Sequence, residues 1–275
     1  MVMTLGTALK QARKAQQLNQ KQAARGICAQ SMLSAIENDR YVPNARLLLA
    51  LCQRLGVAVS TLSLADDFEI SAEQAFNDRV RQMCNAHQYQ QLKDWLLQPT
   101  TLEHVQTDEQ TQAYYYYLGV ACWQVDRTSD AAQQNLRLAI GMAAPSSPPT
   151  TLTRLALISL AVVKAHHHPQ APVAALVTRA LADIDASAYE ENANIVFYLA
   201  GLVAYEQHDS QLAVARLTQG LAFATTHDSH YMLANIYQLM AQLAMAAGET
   251  ATARVASQRS QVFKDLFKEQ INDRL

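Results

Sequence analysis

Apolar residues in the first 65 positions fall into short helical stripes. From Thr4 to Gln16, Leu5, Leu9 and Ala12 share one face, with Lys10, Arg13 and Lys14 elsewhere. A helix restarts over Leu18–Ala24, where Asn19 suits the N-cap and Gln22, three residues on, completes a capping box. It runs out near Gly26. A third helix is predicted from Ser31 to Asn38 with Leu33 and Ile36 inward. Pro43 precedes a fourth, Ala45 to Leu55, burying Leu48, Leu51, Cys52 and Leu55. Gly56 stops it, and Val57, Val59 and Leu62 begin a fifth short element.

From Ser71 onward the pattern is helix after helix, with breaks at 98–101, 126–129, 144–150, 166–172, 207–210, 226–229 and 248–250. Equivalent breaks recur at intervals that call for a repeat. Three segments align with tetratricopeptide spacing. Tyr115, Leu118, Gly119 and Cys122 lie on one helix A, with Ala131 or Ala132 on its helix B. Leu199, Ala200 and Val203 lie on the next, followed by Leu212 and Ala213. Tyr237, Met240, Ala241 and Ala244 lie on the last, followed by Gly248 and Ala253. Small residues are needed at these positions because paired helices cross closely there. Less regular pairs at 72–97 and 151–185 complete the array, and Pro145–Thr150 is the most loop-like run. Such pairs cannot bury their apolar faces alone, so they stack into a superhelix with a concave groove.

The scarcity of Gly (8) and Pro (7) in 275 residues disfavours collagen-like, low-complexity and turn-dense all-β chains. A 50% hydrophobic, 17% charged composition excludes wholesale disorder. The net charge of −2 conceals an asymmetry. Residues 1–65 hold eight basic side chains and two acidic ones, or +6; the other 210 hold 14 basic and 22 acidic, or −8. A basic head therefore sits on an acidic body. No apolar run approaches a membrane span, and the start lacks a basic segment followed by an apolar one. The four cysteines form no C-x-x-C pair and read as core fillers. A cytoplasmic protein, with no membrane partner and no cofactor, is expected.

Catalytic signatures are missing: no G-x-S-x-G, P-loop, G-x-G-x-x-G or H-E-x-x-H occurs. His166–His168 precede Pro169 without a nearby carboxylate or cysteine to complete a zinc set, so a solvated helix end is expected. Glu190 and Glu191 read as a solvated helix start. The expectation is a non-enzyme without a metal site.

Two short helices around a tight turn, within a five-helix unit, describe a helix-turn-helix module. Gln30, Ser31, Ser34, Ala35 and Asn38 face out from its third helix. Amides and hydroxyls there suit base edges. Gln20 can bring its amide and a helix N-terminus to a phosphate, and Arg13, Lys14, Arg40 and Arg46 can add backbone charge. The run Leu18–Glu37, above all Ile27-Cys28-x-Gln30-Ser31-x-x-Ser34-x-Ile36-Glu37, resembles the helix-turn-helix of the Rgg, PlcR, PrgX and ComR group. These are peptide-responsive cytoplasmic transcription factors of Gram-positive bacteria. Phage-repressor-like modules usually carry Gly after the position of Asn38; this chain has Asp39. The body resembles the same group's C-terminal repeat domain.

The fold class that follows is all-α: a five-helix DNA-binding head at 1–66 and a tetratricopeptide-like solenoid at 67–275 for peptide binding and dimerisation. The resemblance implies a homodimer on double-stranded operator DNA, controlled by a short signalling peptide that shifts DNA affinity or contact with RNA polymerase. In the repeat frame, the second, fifth, ninth and twelfth positions of helix A line the groove. They are Ala113, Tyr116, Val120 and Trp123; Asn194, Phe197, Gly201 and Ala204; and Asn235, Gln238, Gln242 and Met245. Asn recurs 41 residues apart, and a carboxamide can satisfy both the N–H and C=O of an extended peptide. Phe197, Tyr116, Trp123 and Met245 would take apolar peptide side chains, and Arg154 a carboxylate. Tyr114–Tyr117 spreads around its helix and cannot form one stripe, so Tyr116 alone is assigned to the groove. The C-terminal helix, Ala251 to Ile271, presents Val255, Val262, Phe263, Leu266 and Phe267 to cap the array or join subunits. Rival readings are a phage-type repressor whose repeats only dimerise, and a repeat scaffold that inhibits a protein partner.

Overall fold

The first helices are set by their caps. In the computed structural model, which describes residues 5–38, 40–57, 68–127, 129–143, 148–267 and 269–271, α1 (Leu5–Ala15) leads into α2 (Gln20–Ala24). Asn19 Oδ1 accepts the Gln22 amide at 2.8 Å and Gln22 Oε1 accepts the Asn19 amide at 2.8 Å, which is the reciprocal capping box. Gly26, at φ +76°, turns the chain toward α3 (Gln30–Glu37) in the left-handed region that glycine tolerates best. Asn44 caps α4 (Ala45–Leu55) through the Leu47 amide, and Gly56 ends it. Helix α3 begins one residue before the predicted start, so Gln30 is its first helical residue. The predicted fifth element, with Val59 and Leu62, lies outside the described residues. Leu9, Ala23, Leu33, Ile36, Leu51 and Leu55 form the head's own core.

The body continues as α5 (Gln74–Asn85), α6 (Tyr89–Leu96), α7 (Pro99–Leu102), α8 (Asp108–Asp126), α9 (Ser129–Gly141), α10 (Thr151–His167) and α11 (Ala174–Leu181). A 3-10 turn (Ile184–Ala186) precedes α12 (Ala193–Glu206), α13 (Ser210–Thr226), α14 (Leu233–Ala246) and α15 (Thr250–Phe267). No strand occurs among the described residues. The predicted break at 98–101 is a short helix instead, opened by Pro99 at its first turn, where the missing N–H costs nothing. Helix α15 ends at Phe267, four residues before the predicted end.

Helices pair as α8 with α9, α10 with α11, α12 with α13 and α14 with α15, and neighbouring pairs pack in chain order. Close crossing explains the glycines. A Cβ on Gly119 would lie 2.8 Å from Leu136, and one on Gly201 would lie 2.6 Å from Leu217, so each glycine of a helix A seats a leucine of its helix B. Two adjoining cores result, one centred on α5–α9 and one on α10–α14, with Phe68, Tyr116, Ile140 and Leu176 packed against both. No helix among the described residues is long and apolar enough to cross a membrane.

Candidate nucleic-acid interface and peptide groove

In the head, four polar side chains form one connected chain. Arg13 Nε donates to Glu37 Oε1 at 2.5 Å and its Nη2 to Glu37 Oε2 at 2.9 Å, a bidentate pair that is buried. Arg13 Nη1 donates to the Leu18 carbonyl at 2.7 Å, tying the pair to the α1–α2 turn. Gln20 Nε2 donates to Glu37 Oε2 at 2.8 Å, and Gln20 Oε1 accepts from Gln30 Nε2 at 2.7 Å. Burial opposes the charge on Glu37, but the hydrogen bonds from Arg13 and Gln20 and the attraction of Arg13 and Lys10 outweigh it, holding its pKa below the usual carboxylate range. The hydrogen bonds that Arg13 donates to Glu37 likewise raise the Arg13 pKa.

This network corrects one assignment. Arg13 is not a phosphate contact, because its guanidinium is spent inside the head. Gln20 is half-buried and positions Gln30. Gln30, Ser31 and Asn38 are exposed, and Ser34 and Ala35 half-exposed, along α3. Asn38 donates back to the Ser34 carbonyl at 2.7 Å, so its amide is partly committed to ending the helix. Lys14, Arg40 and Arg46 are exposed. Gln30 keeps its Oε1 and a second N–H after serving Gln20, the pair of groups an adenine edge requires.

In the body, the assigned groove residues divide. Positions 112, 153, 194 and 235 repeat every 41 residues near the starts of α8, α10, α12 and α14, and all four side chains are polar and buried. Gln112 Nε2 donates to Thr153 Oγ1 at 2.8 Å. Asn194 Nδ2 donates to Ser229 Oγ at 2.9 Å and to the Tyr231 carbonyl at 3.1 Å. Asn235 Nδ2 donates to Glu269 Oε1 at 2.6 Å and to the Gln270 carbonyl at 3.0 Å. Both asparagines therefore staple the start of one helix pair to the segment that follows it. Their amide N–H groups are not presented to a ligand in this structure.

Arg154 is also corrected. It is 1% exposed and donates to the Ala180 and Ala182 carbonyls at 2.8 and 2.6 Å and to Ser187 Oγ at 3.2 Å. Burial lowers its pKa against the pull of Asp183 and Glu190. Its donors hold the end of α11, where carbonyls lack helical partners, rather than a peptide carboxylate. Phe197 is buried against Phe223, with Gly220 leaving room for it, and belongs to the core. Trp123 is buried between the His166 ring and the Arg127 guanidinium. Tyr116 is half-buried, edge-on to Phe68. Burial raises its hydroxyl pKa, and Ser159 of α10 hydrogen-bonds it. Along α14, Gln238 and Gln242 are half-buried and Met245 is 60% exposed. Gln242 Oε1 is buried without a hydrogen-bond partner, as is Asn194 Oδ1.

Residues 9–62 match the helix-turn-helix family. No curated protein sequence matches the chain. Among solved structures, Bacillus thuringiensis PlcR in complex with the peptide PapR7 and DNA superposes at a TM-score of 0.60 and 17% identity, covering 97% of this chain and 96% of that one. PlcR in its apo form matches at 0.58 and 14%, covering 95% of each. ComR from S. thermophilus, in complex with DNA and its signalling peptide ComS, matches at 0.51 and 13%, covering 97% and 95%. The chain has the PlcR fold.

Within this PlcR-like architecture, two features escape a reading by local pattern. Glu37 lies 24 positions from Arg13, and nothing near it in sequence marks it as the hub of the head. Gln112 and Thr153 carry the same 41-residue signal as the two asparagines, yet only the repeated residue type draws attention. Glu191 is buried and accepts from Ser229 Oγ at 2.8 Å, so the expected solvated helix start is instead part of the Asn194 staple. His166 Nδ1 meets Glu206 Oε1 at 2.9 Å, an ordered contact where a solvated end is expected. No group of three His, Cys, Asp or Glu side chains among the described residues is placed to hold a metal ion.

Proposed function

We propose that the chain is a DNA-binding transcription regulator whose head, residues 1–66, reads operator DNA with α3, and whose repeats, residues 67–275, bind a short peptide that biases the dimer between two states. The carrying observation is the relay Arg13–Glu37–Gln20–Gln30. A buried ion pair at one end fixes the orientation of an exposed carboxamide at the first turn of α3. Side chains at that turn of the second helix of a helix-turn-helix are the ones placed to meet base edges. Ser31 and Ser34 extend the reading surface, while Lys14, Arg40 and Arg46 supply phosphate contacts. The basic head raises association with the acidic polymer, and the acidic body keeps off it. The fold shared with PlcR and ComR, each solved with DNA and a peptide, supports the same pairing of ligands here.

The peptide is carried by fewer residues than the repeat frame assigns. Gln238, Gln242 and Met245 lie at i, i+4 and i+7 on α14, one stripe of amide, amide and thioether. Gln242 Oε1 lacks a donor, and an extended peptide N–H would supply one. Val255, Val262 and Leu266, all exposed on α15, form the apolar stripe for a second copy.

Retention on duplex DNA that weakens steeply with salt is the expected result. Gln30→Ala should lower affinity for a selected operator by about 10–100-fold, the equivalent of about 1–3 kcal/mol, and relax base preference at one position per half-site. Non-specific binding at low salt should survive. Failure of the wild-type chain to bind any duplex at low ionic strength would sink the proposal.

A further inference from the structure

The last of these three staples differs from the others. Gln112 and Asn194 hold neutral partners, a hydroxyl in one case and a hydroxyl with a backbone carbonyl in the other. Asn235 holds a carboxylate. Glu269 accepts from the amides of Ala234 and Asn235 at 3.3 Å each and from Asn235 Nδ2 at 2.6 Å, and Gln270 adds its backbone carbonyl at 3.0 Å. These residues follow the end of α15 and have no helical structure of their own. They are led in by Phe267, whose ring stacks on His230 at 3.5 Å between centroids.

Chemically, the seat is a peptide receptor in miniature. The first turn of the 14-residue helix α14 offers backbone N–H groups with nothing helical to donate to, and its dipole favours an anion. Asn235, 5% exposed, then bridges from the carboxylate to the carbonyl of the following residue. An acidic side chain and the adjacent main-chain carbonyl are therefore recognised together, which is how a segment of extended peptide is read. No ion pair to Glu269 is formed among the described residues. Its burial is offset only by N–H donors, and burial raises its pKa. Two of those three donors sit at 3.3 Å, near the long end of the hydrogen-bond range.

We propose that the N-terminus of α14 with Asn235 is an exchangeable subsite for an acidic peptide, which the chain's own Glu269 and Gln270 fill in cis. This rests on the peptide-binding reading above and extends it one turn beyond the Gln238–Gln242–Met245 stripe, on the same helix. A peptide that places a carboxylate on Ala234 and Asn235 must release residues 269–271. That event alters how the end of α15 sits on His230 and therefore the apolar stripe that Leu266 completes.

The test uses the full chain and a fluorescent, N-acetylated octapeptide of its own residues 268–275, Lys-Glu-Gln-Ile-Asn-Asp-Arg-Leu. A segment tethered in cis competes at an effective concentration on the order of millimolar. Glu269→Ala removes that competitor, so it should bind the octapeptide at least about ten-fold more tightly than wild type. Adding Asn235→Ala should abolish the gain, and an octapeptide carrying Ala in place of its Glu should not bind either protein. Glu269→Gln, which keeps the shape and one acceptor, should show a smaller gain and covers the case in which Glu269→Ala does not fold. Equal affinity of wild type and both Glu269 variants, or equal binding of the Glu and Ala octapeptides, overturns the subsite. The two readings fail separately. A screened heptapeptide that needs Gln242 but ignores Glu269→Ala refutes this inference alone. Tail binding by Glu269→Ala, with no library peptide sensitive to Gln242→Ala, refutes the groove alone.

Discussion

The head and the body bury polar groups in opposite ways. The head buries a charged pair, Arg13 with Glu37, and extends it through Gln20 to a residue that faces solvent. The body buries mainly neutral carboxamides and hydroxyls along a 41-residue period, and these end inside the structure. One arrangement exports order to the surface; the other consumes it between repeats. A polar residue near a proposed ligand site is thus informative only once its own partners are known. Gln30 keeps free hydrogen-bonding capacity after its one contact, whereas both asparagines have spent their N–H groups.

The sharpest way to break this comparison is Glu37→Ala. It strands the Arg13 guanidinium in the interior, and the head should lose about 3–5 kcal/mol. Mass-spectrometric labelling of Cys52, buried in the head core, reads that opening without interference from the repeats. Replacing both partners by apolar residues, Arg13→Met with Glu37→Leu, should restore much of the stability but not the orientation of Gln30. Acid should act in the same direction. The pKa of Glu37 is depressed in the folded head, so its contribution is complete above the ordinary value of about 4.5 and is lost as pH falls through the lower, folded value. Cys52 labelling that is insensitive to Glu37→Ala would remove the ion pair from its central place.

A smaller effect is expected where the body is held by packing alone. Gly201→Ala drives a methyl to 2.6 Å from Leu217 and should cost about 1–3 kcal/mol in thermal or urea unfolding. Gly141→Ala meets nothing within 4 Å and should instead stabilise α9 slightly, by about 0.5–1 kcal/mol. If both glycines behave alike, close crossing of α12 and α13 is not what selects Gly201.

The smallest loss should come from Asn194→Ala. It removes the bonds to the Tyr231 carbonyl and the Ser229 hydroxyl, but it also removes the unpartnered Asn194 Oδ1, so the net loss should be about 1 kcal/mol. Amide exchange should accelerate at Ser229–Leu233, where the staple lands. Peptide affinity that collapses with no change in exchange would return Asn194 to the groove and narrow the contrast between head and body.

Much of the architecture is legible in local pattern. Asn19 and Gln22 announce the start of α2, Leu33 and Ile36 the inner face of α3, and Gly119 a close crossing, whereas Gly201, assigned to the groove by the repeat frame, proves to be a second crossing against Leu217. The charge division, +6 against −8, separates head from body before any coordinate is known. The site is less legible. A 41-residue recurrence of asparagine reveals a shared structural position, but a ligand clamp and an inter-repeat staple need the same residue at the same place.

What the sequence determined by itself is what neighbours in the chain decide: helix starts and stops, amphipathic faces, repeat period, charge. Tertiary structure decided the partners. Arg13 reaches Glu37 across 24 residues, Arg154 reaches Ala180 and Ala182 across the α10–α11 pair, and Asn235 reaches Glu269 across the whole of α14 and α15. The physical reason is one of range. Caps and helical faces are satisfied within a turn or two. A buried donor must find its acceptor wherever packing places one, and that place is written in the whole fold rather than in any window of it.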